Sequence, residues 1–170
     1  MKRSQINDIL IQSKNFFQQH NFYLPKFAYW SPKDWNDHLD KIQHIINAQL
    51  GWDITSFGKD NFDKFGLTLF TLRNGLIKPG NDTVKPYCEK IMIVGEHQVT
   101  LMHHHVNKIE DIINRGGGNL LIKLYCVDVN GELDKEQAVS IMVDGMETAI
   151  KPGGILRLTP GESVTLEPHH

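Results

Sequence analysis

Cysteine is scarce in this chain, long apolar runs are missing, and neither sign of charge dominates. Only Cys88 and Cys126 occur, far apart and each within an apolar, strand-like run. Two such residues exclude the disulfide framework with which small secreted domains replace a core. They are expected to be reduced, buried packing residues of a cytosolic protein, and their spacing gives no support to a metal role for either. No stretch approaches the roughly 18 consecutive apolar residues of a membrane span. The polar, helix-patterned N-terminus contains no signal-peptide core. A formal charge of −2 provides no electrostatic ground for nucleic acid or an anionic membrane as a partner. Internal repeats and low-complexity segments are absent as well.

What remains is the composition of an ordinary globular protein, 40% apolar and 22% charged over 170 residues, long enough for a substantial core in one domain. Ile6, Ile9, Leu10, Phe16 and Phe17 recur at helical intervals up to about residue 20. Asn21-Phe22-Tyr23-Leu24-Pro25 breaks that pattern. Ser31-Pro32-Lys33-Asp34 is a helix start, with Ser31 as N-cap, Pro32 in the first turn and Asp34 near the positive end. Trp35, Leu39, Ile42, Ile45 and Ile46 form the apolar stripe of that helix, and Gly51 is its expected stop.

From about Phe62 the period changes to two and turn signals multiply. Asn74-Gly75, a loop at Pro79-Gly80-Asn81-Asp82, Gly95, Gly116-Gly117-Gly118, Asn130-Gly131, Asp144-Gly145, Pro152-Gly153-Gly154 and Pro160-Gly161 punctuate short strands such as Ile91–Val94 and Leu120–Val129. This spacing predicts an antiparallel sandwich or barrel. The simplest architecture is mainly β: residues 1–55 as a helical arm packed on a small β-barrel of residues 56–170, one structural domain overall. The triple glycine resembles a phosphate loop only superficially, since no GK[ST] follows and no helix starts there, so tight turning between strands is the expectation.

The chemistry is concentrated in His103-His104-His105-Val106-Asn107-Lys108-Ile109-Glu110. On a strand, His103 and His105 share one face and His104 faces away. Val99 and Leu101 share the His103 and His105 face, so that face is expected to look inward. Two imidazoles with a carboxylate five residues later suit a divalent metal held by nitrogen and oxygen. The bland alternative for Glu110 is a surface acid in a turn. Asp111 and Arg115 are expected to form a structural ion pair or cap. Trp30, Trp35 and Trp52 could stack on a ligand, but helix-to-barrel packing accounts for them at least as well.

The segment Gly95, His103, His105, Glu110, Gly116 resembles the first motif of the cupin superfamily, although the gap from Gly95 to His103 is longer than usual there. Gly154, Pro160 and Gly161 resemble the opening of the second. The likeness narrows further. Asn21-Phe22-Tyr23-Leu24-Pro25-Lys26-Phe27-Ala28, Leu72-Arg73-Asn74-Gly75, Glu89-Lys90-Ile91-Met92-Ile93-Val94 and Lys108-Ile109-Glu110-Asp111-Ile112-Ile113-Asn114-Arg115-Gly116-Gly117-Gly118-Asn119 together resemble the D-lyxose isomerase family over essentially the whole chain. That resemblance implies a cupin-type, jelly-roll-like antiparallel barrel and a metal-dependent isomerase, usually with Mn²⁺ (Zn²⁺, Co²⁺ or Fe²⁺ being alternatives). Such enzymes interconvert D-lyxose with D-xylulose and D-mannose with D-fructose. It further implies a cytoplasmic homodimer with a small sugar as its partner, and neither nucleic acid nor membrane. Relatives continue beyond the second motif, so the C-terminal part of the barrel is expected to be missing here, and the fourth metal ligand falls to His169, His170 or a residue further on.

In this reading His103, His105 and Glu110 hold the metal. An opened sugar must also exchange a proton between C2 and C1, and no motif identifies the base. Glu89 and Lys90 alternate across a strand and cannot both face one site; the resemblance favours Lys90, hydrogen-bonding a sugar oxygen or stabilising negative charge. Lys108 could share the face of Glu110, binding a sugar hydroxyl or shuttling a proton. For each lysine the bland alternative is a solvated surface cation. A metal-assisted hydride shift is equally compatible. Two other readings compete with the isomerase: another metal cupin enzyme such as an iron dioxygenase, which the same ligands would serve, and a non-catalytic sugar- or metal-binding cupin.

Overall fold

The structure is a computed structural model that describes residues 1–75, 85–128 and 130–170. The predicted loop at Pro79–Asp82 and the end of the predicted strand at Val129 lie outside the described residues. The chain forms two compact units, Met1–Leu101 and Met102–His170, and the expected mainly antiparallel β architecture with an N-terminal helix is what it adopts. Each sheet among the described residues is open, in keeping with a cupin-like β fold.

The first unit begins with α1 (Arg3–Gln19). It ends where Asn21 enters the left-handed region at φ 56°, which lets the Phe22 N–H reach the Phe17 carbonyl at 2.8 Å and the Asn21 N–H reach Gln18 at 3.1 Å. Next come a 3₁₀ turn (Lys26–Tyr29) and α2 (Pro32–Asp37). The predicted cap is present: Ser31 Oγ accepts from the Asp34 N–H at 3.2 Å while the Asp34 carboxylate accepts from the Ser31 N–H at 2.8 Å. The Ser31 hydroxyl, which also donates to that carboxylate at 2.7 Å, and then the Ser31 N–H hold the Asp34 carboxyl below its ordinary range.

The single long helix expected after Ser31 does not form. It breaks after Asp37 and resumes as the short α3 (Gln43–Asn47). At the break, His38 Nδ1 lies 2.7 Å from the Asp34 carbonyl, occupying the acceptor that a continuing helix would offer the His38 N–H. That N–H turns to Trp35 instead, at 3.3 Å, and the Asn36, Asp37 and His38 run has little helix propensity to resist. The apolar stripe is divided accordingly: Ile42 is buried, whereas Leu39 and Ile46 are exposed. The stop also differs from expectation. Gln49, at φ 51°, makes the left-handed turn, with Leu50 N–H on the Ile45 carbonyl at 3.0 Å, and Gly51 already begins a strand.

Strands β1 (Gly51–Thr55), β2 (Leu67–Arg73) and β3 (Glu89–Ile93) form an antiparallel sheet in that order. Its core gathers Phe17, Leu24, Ala28, Phe70 and Leu72, with Phe27 and Trp52 packed against them. Trp52 also donates its indole N–H to the Ala28 carbonyl at 2.9 Å, so it serves packing. Trp30 stands edge-on to Trp35 and stacks on His38. Cys88 departs from expectation: it lies just before β3 and is exposed, because the preceding residues from Lys85 on are all exposed and give it no core to enter.

The second unit holds β4 (Glu110–Ile113), β5 (Leu120–Lys123), β6 (Cys126–Val127), β7 (Leu133–Asp134), β8 (Val139–Val143), β9 (Met146–Ile150), β10 (Ile155–Leu158) and β11 (Ser163–Leu166). Four of them form the sheet β4-β11-β8-β9, and β10 pairs with β5 and β6 with β7. Alternation drives the packing: in β8, Val139 and Ile141 are buried while Ser140 and Met142 face out. Val139, Ile141, Leu156, Leu158 and Val164 make the core, joined by Leu124 and Cys126. Cys126 is thus the buried packing thiol expected, and burial pushes its pKa up.

The predicted hairpins are present. Asp144-Gly145 is the two-residue loop between β8 and β9, with φ of 48° and 80°. This is the mirror-image turn that matches strand twist and favours Asp-Gly. Asn130-Gly131 closes β6 on β7, with the Asp128 carboxylate accepting from the Asn130 and Glu132 N–H groups. The triple glycine is a turn, as expected. It is pinned by the buried Asn114, whose amide nitrogen donates to the Gly118 and Leu158 carbonyls at 2.8 and 2.9 Å, while its oxygen accepts from the Gly116 N–H at 3.1 Å.

Candidate metal centre

The metal candidates His103, His105 and Glu110 lie in the second unit with Lys108, and Lys90 lies in the first. Glu110 opens β4, where its side chain takes the half-buried face shared with Ile112, while Asp111 and Ile113 face outward. That polarity follows from the pairing of β4 with β11, which sets Glu110 opposite Leu166 and Ile112 opposite the fully buried Val164. Before Glu110, residues 106–109 bend without strand or helix.

Two side chains meet the Glu110 carboxylate, and a third stands beside one of them. His105 Nε2 lies 3.5 Å from Oε2, and Lys108 Nζ lies 2.9 Å from Oε1. The His103 and His105 rings stand edge to face with centroids 5.1 Å apart. Residues 103–105 form no strand, yet the His103 and His105 rings are neighbours while the His104 ring lies against His169, centroids 6.2 Å apart. The expectation that this face is an inward apolar wall is not met. Val99 is 46% exposed, His103 is exposed too, and His105 and Glu110 each keep about a third of their side-chain surface in solvent. A carboxylate and imidazoles are costly to bury without partners, so the edge they occupy stays wet.

Burial alone would raise the Glu110 carboxyl. The Lys108 hydrogen bond, then the positive charges at Lys108, His105 and His103, overcome that and hold it below the usual glutamate value. At neutral pH the group is ionised.

The donors match a divalent cation in kind: two imidazoles and a carboxylate are the borderline set that Mn²⁺, Fe²⁺, Co²⁺ and Zn²⁺ accept. They also match in spacing at one edge. Metal–nitrogen and metal–oxygen bonds of about 2.1 Å place two ligands of one ion roughly 3.0–3.5 Å apart, and His105 and Glu110 stand at 3.5 Å. Among the described residues, no group of three or more His, Cys, Asp and Glu side chains could hold a metal ion as it stands. The convergence is pairwise rather than a finished cage.

The remaining candidates fall as follows. Asp111 bonds Thr165 Oγ1 at 2.6 Å and forms no ion pair with Arg115 among the described residues. His169 lies with its main-chain N–H on the His105 carbonyl at 2.9 Å. His170 Nδ1 accepts from the Glu167 N–H at 3.3 Å. Glu89 and Lys90 belong to the first unit, both exposed on β3; Glu89 takes the face of Ile91 and Ile93, and Lys90 that of Met92. Asn114 and the His169 main chain had no signal in the sequence beyond an asparagine ahead of a glycine run and a histidine after a proline.

Comparison with known proteins agrees with this geometry in one respect, the family. A family model described as D-lyxose isomerase matches residues 1–170. A D-lyxose/D-mannose isomerase of Escherichia coli O157:H7 is 50% identical over 170 residues, covering 99% of this chain and 74% of that protein. A D-lyxose/D-mannose isomerase of Serratia proteamaculans is 48% identical over 171 residues, covering 99% and 73% respectively. Among the described residues, no helix is long and apolar enough to cross a membrane.

Proposed function

The chain belongs to the D-lyxose isomerase family, and on that premise we propose that it is a metal-dependent aldose–ketose isomerase interconverting D-lyxose with D-xylulose and D-mannose with D-fructose. Sugar isomerase is the class its family carries, which sets aside the dioxygenase and the non-catalytic cupin. The observation that supports metal dependence is the approach of His105 Nε2 to Glu110 Oε2 at 3.5 Å, with His103 beside them.

His103 and His105, as neutral imidazoles, and Glu110, as a carboxylate, would hold the ion, most simply Mn²⁺. When bound, a divalent cation supplies Lewis-acid polarisation at the sugar carbonyl. The protein residues do the rest. Glu110 is kept ionised by Lys108, so the site is ready for a cation at neutral pH. The Lys108 ammonium, half exposed beside Glu110, would neutralise charge that grows on a sugar oxygen as a proton leaves C2. The sugar is taken in its open form, because only that form offers the carbonyl.

The protein is read as a cytoplasmic homodimer whose partner is the sugar itself. Its two cysteines are free thiols, in keeping with a reducing compartment.

The test is ketose formation from D-lyxose and from D-mannose, each followed in D₂O. Turnover with deuterium entering C1 supports the proton-transfer route, whereas turnover without it supports a hydride shift. No ketose from either sugar refutes the proposal.

A further inference from the structure

One stretch of backbone touches both ends of the segment that carries His105 and Glu110. At one end, β11 pairs Leu166 with Glu110. A little further along, the His169 N–H donates to the His105 carbonyl at 2.9 Å, while the His169 carbonyl accepts from the Val127 N–H at 2.9 Å. The run from Leu166 to His169 is therefore fixed to β4 at its start and to β6 at its finish. His105 is held against that finish. Between His105 and Glu110, residues 106–109 form a bend without strand or helix, and Val106 and Ile109 are both exposed. No regular ladder crosses that bend, so the separation of imidazole and carboxylate depends on what holds its two ends. His169 makes the second hold possible through an unusual conformation: its φ of 71° lies in the left-handed region, which a histidine seldom adopts. That turn presents its N–H to one segment and its C=O to another.

We propose that His169 is a positioning residue for the metal centre, acting through its main-chain N–H on His105 rather than through its imidazole. The proposal rests on the reading of His103, His105 and Glu110 as metal donors. Its ring lies against His104, not between the donors, so removing the ring leaves the tie intact.

Two substitutions at one position separate backbone from side chain. His169→Gly keeps the N–H, suits the positive φ and deletes the imidazole. His169→Pro deletes the N–H and imposes a negative φ. Each full-length protein is stripped of metal and titrated with Mn²⁺ by electron paramagnetic resonance. Amide hydrogen exchange over residues 103–109 is followed without metal. Wild type and H169G are expected to bind alike. H169P is expected to bind about ten- to a hundred-fold more weakly, the range for losing a group that orients a metal ligand, with faster exchange over 103–109 and unchanged protection in β8 and β9. If β8 and β9 also lose protection, Val127→Pro replaces it, removing the N–H that meets His169 from the other side, and the same affinity loss is expected. H169G as weak as H169P would assign the work to the imidazole and overturn the proposal. Normal Mn²⁺ binding by wild type and both proline variants would overturn it as well. Absence of Mn²⁺ binding by wild type would instead strike the metal reading, and the proposal with it.

Discussion

Asn114→Ala is the substitution whose consequence the structure fixes most closely. Asn114 is 7% exposed and its side chain makes three hydrogen bonds, at 2.8, 2.9 and 3.1 Å, that join the glycine turn to the end of β10. Each is worth about 1 kcal/mol net, so their loss costs about 3 kcal/mol. The Leu158 carbonyl is in a buried bond, and leaving such an acceptor short adds about 1–2 kcal/mol unless water enters. The main-chain bonds of Asn114 to Glu162 and Gly161 survive the change, which bounds the total at about 3–5 kcal/mol. Asn114→Asp should be no better, because it keeps the Gly116 acceptor but turns an oxygen toward two carbonyls. With a urea slope of about 2 kcal/mol/M, the midpoint should fall by roughly 1.5–2.5 M, read from the far-UV sheet signal. A loss below about 0.5 kcal/mol would refute the claim that this side chain fastens the turn.

Other consequences are equally direct. Leu158→Ala, at a fully buried core position, should cost about 2–5 kcal/mol in the same titration, while Arg157→Ala on the exposed face next to it should change little. For Glu110 the sign follows from its depressed carboxyl. The stabilisation from its ion pairs is fully present above the unfolded glutamate value and lost as pH falls through the lower folded value. The stability difference between metal-free wild type and Glu110→Gln should therefore be constant near neutrality and shrink in acid; a difference that grows in acid would contradict the assignment. Mn²⁺ affinity should weaken in acid, because protons compete with the ion for its donors, which a series of titrations at stepped pH would check.

The sequence carried the β part of the fold well because its signals are local. Asp144-Gly145 and Asn130-Gly131 specify their own turns, and alternation in Val139–Val143 specifies which side is buried. The helix after Ser31 is shorter than its periodicity predicts because a side chain, His38, competes for the Asp34 carbonyl, and periodicity does not register such competition. Gly51 drew the helix stop to itself, whereas Gln49 makes the turn without any residue preference to announce it. Cys88 is apolar by type but lies in a stretch that reaches no core. At the site, the approach of His105 and Lys108 to Glu110 across a short bend was legible in their spacing, although residues 103–105 form no strand. The hold of His169 on His105 was not, because a main-chain bond between residues distant in sequence leaves no mark on residue identity. How open the site edge is also escaped the sequence, which shows residue type but not solvent.

The central claim is that sugar isomerisation here depends on a divalent metal held by His103, His105 and Glu110. Ketose formation from D-lyxose should be measured on metal-stripped protein, before and after Mn²⁺ is restored, in wild type and His103→Ala. The account predicts negligible turnover without metal, recovery in wild type with Mn²⁺, and none in the variant. Undiminished turnover after stripping, or full recovery in His103→Ala, would contradict it.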